Sequence, residues 1–346
     1  MRVMVVSSFH ISSTRDVWLK TCAGLKANGV TVIPFDLMRR LSLFSFLRDK
    51  VERSKNHELP RDWDPTTLSY EIILGAALMH DAEWVIVTSP QYFPVDIARL
   101  LRKVGIKTAA MWTECPYEDT IHTPITASAF DVSFVNDKNS LMLFESFCER
   151  VLYVPHSYDP ILHTPGPDER DENIVFVGTG YQSRVQFMRN VEWPVRLDLY
   201  GWWPKEWLRY DEKRLRPSLR SKHPTTPQET ATLYRKSAAS FSIHREMRYA
   251  GTDEAIMDGE AYSLGPRNWE LAACRTFQVS DHRPELIDVF GDTVPLYESP
   301  REMTEIMKKA FDDPAWRREM AYRQWEKAQP YSSTNVMKPV AQLLAA

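Results

Sequence analysis

Twice along the chain, short runs of apolar and β-branched residues alternate with longer amphipathic segments, and this alternation restricts the fold more than any other feature. "RVMVVSS" (2–8) reads as a buried strand, "DVWLKTCAGLKANG" (16–29) as an amphipathic helix stopped at Gly29, and "VTVIPF" (30–35) as the next strand. Strand, helix and strand in that order open a parallel sheet. The pattern continues through "WVIVTS" (84–89), "VDIARLLRKVG" (95–105), "KTAAMW" (107–112), "DVSFVN" (131–136) and "RVLYVP" (150–155). It breaks at "HTPGPDERDE" (163–172), whose proline, glycine and charge predict an interdomain linker. It then restarts with "NIVFVGTG" (173–180), "VRLDLYG" (195–201), "AASFSIH" (238–244) and "TFQVSD" (276–281). The expectation is an α/β chain of two doubly wound, Rossmann-like domains. Their strand ends face a central cleft, since such sheets bind ligands at the carboxyl ends of their strands.

Composition narrows the class. A chain of 346 residues is long for one core and comfortable for two. No apolar run reaches membrane-spanning length, and the N-terminal run passes into polar residues without a small-residue cleavage site, so no membrane span is expected. Cys22, Cys115, Cys148 and Cys274 stand far apart, without CxxC or Cys/His ligand spacing, which predicts a reducing, cytoplasmic setting and no bound metal. The net charge of −3 argues against a global polyanion binder but allows a local basic patch.

"SLGPRNWELAACRTF" (263–277) carries the clearest chemistry. Proline is favoured at the first helical position and Gly265 permits a tight entry, so a helix starts at about Pro266. Its free N–H groups, with Arg267 and Asn268 in the first turn, make an anion site suited to phosphate. Glu270, one turn inside, suits hydroxyl donors such as a ribose diol, because two anions would repel. Together these describe a nucleotide. The spacing equally allows Glu270 to pair with Arg267 at i,i+3 or to solvate an exposed face.

The same stretch, with "NIVFVGTGYQSR" (173–184), "LYVPHSYDP" (152–160) and "TECPYED" (113–119), resembles the CgeB-like glycosyltransferases, especially those encoded by bacteriophages of actinobacteria. The similarity runs over most of the chain in order. It implies a GT-B fold with an acceptor-side domain (1–165), a domain holding a nucleotide-diphosphate sugar (172–328), and a C-terminal helix (329–346) crossing back onto the first domain. It implies no cofactor beyond the co-substrate, expected to be a UDP-sugar. By the resemblance Glu270 holds the donor ribose and Arg184, following Gly178 and Gly180, meets the diphosphate. A guanidinium forks onto phosphate oxygens, and glycines let a backbone approach them. Distant family 4 relatives carry a glutamate eight residues before the ribose one; here that position is Tyr262, with Glu260 and Asp258 nearby. Arg275 stands where a glycine often ends the helix.

Further residues fall at predicted strand ends. His244, Arg245 and Arg248 follow a strand and suit the sugar or the departing diphosphate, as fixed positive charge where negative charge develops. Glu114, in "MWTECPYED" (111–119), and His10 are candidates to accept the proton of an attacking hydroxyl or to orient the acceptor. The stretch 205–223 concentrates Lys213, Arg214, Arg216 and Arg220 among other cations, a surface that would track DNA phosphates if the acceptor were 5-hydroxymethylcytosine in phage DNA; a virion protein is the rival acceptor. "DWD" (62–64) matches a metal-nucleotide motif but lacks the hydrophobic strand such a motif follows. A nucleotide-sugar epimerase and a non-catalytic nucleotide- or sugar-binding module are the other readings of the same pocket.

Overall fold

Central strands of a parallel sheet are buried on both faces and so read as continuous apolar runs. The computed structural model, which describes residues 1–9, 13–54, 63–117, 119–204, 214–221, 223–245 and 261–346, bears this out. His10, Lys213, Arg248, Asp258 and Glu260 lie outside the described residues. The first sheet has six parallel strands: β1 (Arg2–Val6), β2 (Thr31–Phe35), β3 (Trp84–Thr88), β4 (Lys107–Met111), β5 (Val132–Val135) and β6 (Val151–Tyr153), in the order β2-β1-β3-β4-β5-β6. The second has four, β7 (Asp171–Val177), β8 (Arg196–Tyr200), β9 (Ser237–Ser242) and β10 (Phe277–Ser280), in the order β10-β9-β7-β8, again all parallel. Two compact units result. The first holds Met1–Pro155, Ala261 and Ser333–Ala346, and the described residues of the second fall within 156–245 and 262–332.

In the first unit the helix Leu37–Glu52 begins at Asp36, whose side chain accepts from the Arg39 N–H, and the helix Pro65–Met79 begins at Asp64, which accepts from the Thr67 N–H at 2.7 Å. The final aspartate of the "DWD" string is thus a helix cap. The helix Ser333–Ala345 belongs to this unit and packs along the helix Ser13–Ala27. Asn28 Nδ2 donates to the Thr334 carbonyl oxygen at 2.7 Å and the Trp84 indole to that of Leu344 at 3.0 Å. Gly24 sets the approach: a Cβ there would lie 2.3 Å from the Ser333 carbonyl oxygen and 2.6 Å from Met337 Cγ. Gly24→Val is therefore expected to cost about 1–3 kcal/mol through overpacking, read as a lower urea midpoint at unchanged slope.

In the second unit the segment 163–172, linker-like in composition, is clasped into the fold. The Arg170 guanidinium donates to the carbonyl oxygens of Tyr234 (3.3 Å), Ser237 (3.2 Å) and Cys274 (2.9 Å) and to Thr276 Oγ1 (3.0 Å). Tyr234 lies in the last turn of the helix Pro227–Lys236, and Cys274 caps the helix Pro266–Ala273, so one cation satisfies orphan carbonyls at two helix ends. The Gly166 N–H donates to the Cys274 carbonyl oxygen beside it. Burial pulls the Arg170 guanidinium down to about 10, still a cation at neutral pH. Among the described residues no helix is long and apolar enough to cross a membrane.

Candidate functional site

In the second sheet β7 is flanked by β8 on one side and β9 on the other, so strand order reverses between β7 and β9. Parallel α/β sheets bind ligands at the carboxyl ends of the strands at such a reversal. Here those ends lead into Gly178 and Ile243, and the sequence-predicted residues Arg184, His244, Arg267 and Asn268 gather around them.

The glycines after β7 make room for neighbouring parts of the chain. A Cβ on Gly178 would sit 2.4 Å from Arg267 Nη2, and one on Gly180 would sit 2.1 Å from the Trp203 ring. Gly201, at φ +110°, would press a Cβ to 2.4 Å from the Gly178 carbonyl oxygen. The loops after β7 and β8 therefore interlock, with Gly178 N–H bonded to Tyr200 and Gly180 N–H to Trp202. Close approach of a ligand to these glycines was the sequence expectation; the structure supplies an internal reason for both.

Arg267 Nε and Nη2 donate to the Val177 carbonyl oxygen at 3.2 and 2.8 Å, and its guanidinium lies 4.3 Å from the centre of the Phe176 ring. Arg184, almost fully buried, donates from Nε to the Ile243 carbonyl oxygen (2.9 Å) and from Nη1 to that of Thr179 (3.0 Å). It thereby ties the end of β9 to the loop after β7. Burial first, and then the charge of Arg267, pull Arg184 down to about 9, so its guanidinium remains a cation at neutral pH. Two cations held on backbone carbonyls make a rigid positive edge.

His244 adjoins them. Its main-chain N–H donates to Asp281 Oδ2 at 2.8 Å, its Nδ1 lies 2.5 Å from Asp281 Oδ1, and its Nε2 lies 3.2 Å from Asn268 Oδ1. Burial would push the Asp281 carboxyl up, but His244 and Arg283 outweigh it and hold it below the usual carboxylate range. Asp281 escaped the sequence reading, although its place one residue past β10 was the available signal. Arg245 offers its carbonyl oxygen to Arg283 Nη2 at 3.2 Å.

The helix Pro266–Ala273 presents its start to the same edge. Gly265 caps it with ordinary extended backbone (φ −74°) and open space where a Cβ would be, so the entry does not require glycine. Glu270 is only 5% exposed, which excludes a solvated face, and Arg267 turns to Val177 instead of pairing back to it. Its charge reaches Tyr234 and Cys274; burial first, then Glu270, pushes the Cys274 thiol up to about 12. The helix ends on Arg275, which takes the left-handed conformation (φ 54°) that glycine usually supplies. The Arg275 N–H bonds to Ala272, the Thr276 N–H to Leu271, and the side chain pairs with Asp168.

The basic stretch is partly neutralised. Arg220 Nε donates to the buried Asp198 at 2.5 Å, beside Arg196 at 3.0 Å, and Arg214 Nη1 donates to the Arg189 carbonyl oxygen at 2.6 Å. Arg216 opens a short 3-10 turn, Arg216–Ser218. In the first unit Glu114 is half-buried past the end of β4. The neighbouring Cys115 thiol donates to Asp119 Oδ1 at 3.3 Å and is pushed well up, by burial first and then by surrounding carboxylates including Glu114. Among the described residues no three His, Cys, Asp or Glu side chains converge as a metal site.

Residues 183–344 match the family described as glycosyl transferase-like. No sequence among the curated proteins matches significantly. Solved structures align over nearly the full chain. Sucrose-phosphate synthase from Thermosynechococcus elongatus matches at 13% identity and a TM-score of 0.64, over 100% of this chain and 97% of that one. A glycosyltransferase from Rickettsia africae matches at 8% and 0.65, over 99% and 98%. Anabaena HepE, solved in complex with UDP-glucose, matches at 10% and 0.66, over 100% and 99%. At such identities the likeness is one of fold: the chain has the GT-B fold, built from two parallel-sheet, Rossmann-like α/β domains.

Proposed function

We propose that this chain is a CgeB-like glycosyltransferase that moves a sugar from a UDP-sugar to an acceptor hydroxyl in the cytoplasm without a metal ion. The observation that carries the reading is the convergence of Arg184, Arg267 and His244 on the strand reversal of the second sheet, beside the start of a helix that buries Glu270 one turn inside. Fixed cations and helix N–H groups suit a diphosphate, and they supply the charge neutralisation that a metal provides elsewhere. Glu270 takes the ribose diol. The match of residues 183–344 to a glycosyl transferase-like family and the UDP-glucose in HepE support this choice of co-substrate.

In this reading Glu114 orients the acceptor or accepts its proton. The acceptor to test first is 5-hydroxymethylcytosine in phage DNA, beside virion protein; Arg214 and Arg220, being held within the chain, lend the DNA acceptor little support. The deciding experiment screens nucleotide sugars for thermal stabilisation and follows with mass spectrometry on modified and unmodified acceptors. A UDP-sugar at about a hundred times its Kd should add about 2.7 kcal/mol of stability. No stabilisation by any UDP-sugar would refute the donor assignment, and an isomerised nucleotide sugar in place of a glycosylated acceptor would identify an epimerase.

A further inference from the structure

We propose that a buried amide relay, Gln324–Gln278–Asn268, holds His244 as a doubly protonated imidazolium, a third fixed cation beside Arg184 and Arg267; that this cation serves a diphosphate rests on the function proposed above. The directions of the hydrogen bonds require it. Gln324 Nε2 donates to the carbonyl oxygens of Thr293 at 2.6 Å and Gln278 at 3.2 Å, and its Oε1 accepts from the Gln278 main-chain N–H at 3.2 Å. Gln278 Nε2 donates to the Asn268 carbonyl oxygen at 2.9 Å, which turns Gln278 Oε1 toward Asn268 Nδ2 at 3.2 Å. A carbonyl only accepts, so flipping either glutamine sets acceptor against acceptor, and all three amides are buried from water.

Asn268 therefore presents Oδ1 to His244 Nε2 at 3.2 Å, and that nitrogen must donate. On the other side of the ring Nδ1 meets Asp281, whose carboxyl already accepts the His244 main-chain N–H and is held ionised. Nδ1 must donate as well. The charged groups around the ring divide: Asp281 favours the cation, while Arg184 on the Ile243 carbonyl, Arg267, and Arg283 on the Arg245 carbonyl oppose it. The acceptors at both nitrogens settle the balance. With both nitrogens engaged, His244 acts through its charge and moves no proton; Asn268, Gln278 and Gln324 are positioning residues.

The test reads the ring nitrogens of His244 directly, by NMR of the full chain labelled at histidine and assigned with a His244→Gln variant. Both nitrogens should carry a proton at neutral pH; one bare nitrogen there overturns the proposal. Gln278→Leu frees the Asn268 amide to turn its NH2 toward Nε2, so one ring nitrogen should then be bare at neutral pH, and UDP affinity should fall about tenfold against the parent. A Gln278→Leu ring that keeps both protons would show the relay to be idle. Should that variant not fold, Asn268→Asp keeps an acceptor at Nε2 and should preserve both protons, and loss of either refutes the relay. The spectra are taken without ligand. A protonated ring with no UDP binding would therefore overturn the glycosyltransferase reading and leave the imidazolium standing.

Discussion

Glu270→Ala is expected to bind UDP-glucose about 30- to 100-fold more weakly while melting as a folded protein. Withdrawing a charged acceptor from a buried hydrogen bond costs about 2–3 kcal/mol, and each 1.4 kcal/mol is a factor of about ten in Kd. Because the assigned contact is to the ribose, uridine should lose as large a factor as UDP. Glu270→Gln, which keeps one acceptor oxygen, should lose less. Calorimetry decides: unchanged affinity, or a loss confined to ligands carrying phosphate, removes Glu270 from the ribose and returns it to the packing around Tyr234 and Cys274.

Arg170→Ala is expected to destabilise the second unit by about 3–5 kcal/mol, since it withdraws one charged donor from the carbonyls of Tyr234, Ser237 and Cys274 at once, leaving Tyr234 with the Thr276 hydroxyl and Cys274 with the Gly166 N–H. Arg170→Lys should recover only part of the loss, because an ammonium cannot span the same fork of acceptors. Urea denaturation followed by tryptophan fluorescence measures both. Equal stability of the alanine variant and the parent would show that water takes over those carbonyls.

Much of the architecture was legible because parallel strands need apolar runs on both faces, and "VMVV", "WVIVT" and "IVFV" supply them in turn. Less legible was where one unit gives way to the next. The proline- and glycine-rich stretch 163–172 has a linker's composition, but its fate depends on Arg170 finding carbonyls 64 to 104 residues away. The partners of the basic stretch were hidden for the same reason: Arg220 and Asp198 stand 22 residues apart, and only folding sets one on the other. At the strand reversal, residue types were readable and partners were not. His244, Asn268 and Arg267 were recognisable as polar groups at element ends; Gln278 and Gln324 were not, for buried glutamines in a strand and a helix carry no local signal until the fold joins them across 46 positions. Arg275 shows that a left-handed helix end can be filled by arginine when a side-chain partner, here Asp168, helps hold it.

The helix Ser333–Ala345 also bears on the order of events during synthesis. Gly24 waits for a backbone, and Trp84 for a carbonyl, that leave the ribosome only after the whole second unit has been made. The half that begins first is thus sealed last. Until then an apolar stripe of nascent chain stays uncovered, which makes early termination or slow elongation the moment when this protein is most exposed to aggregation.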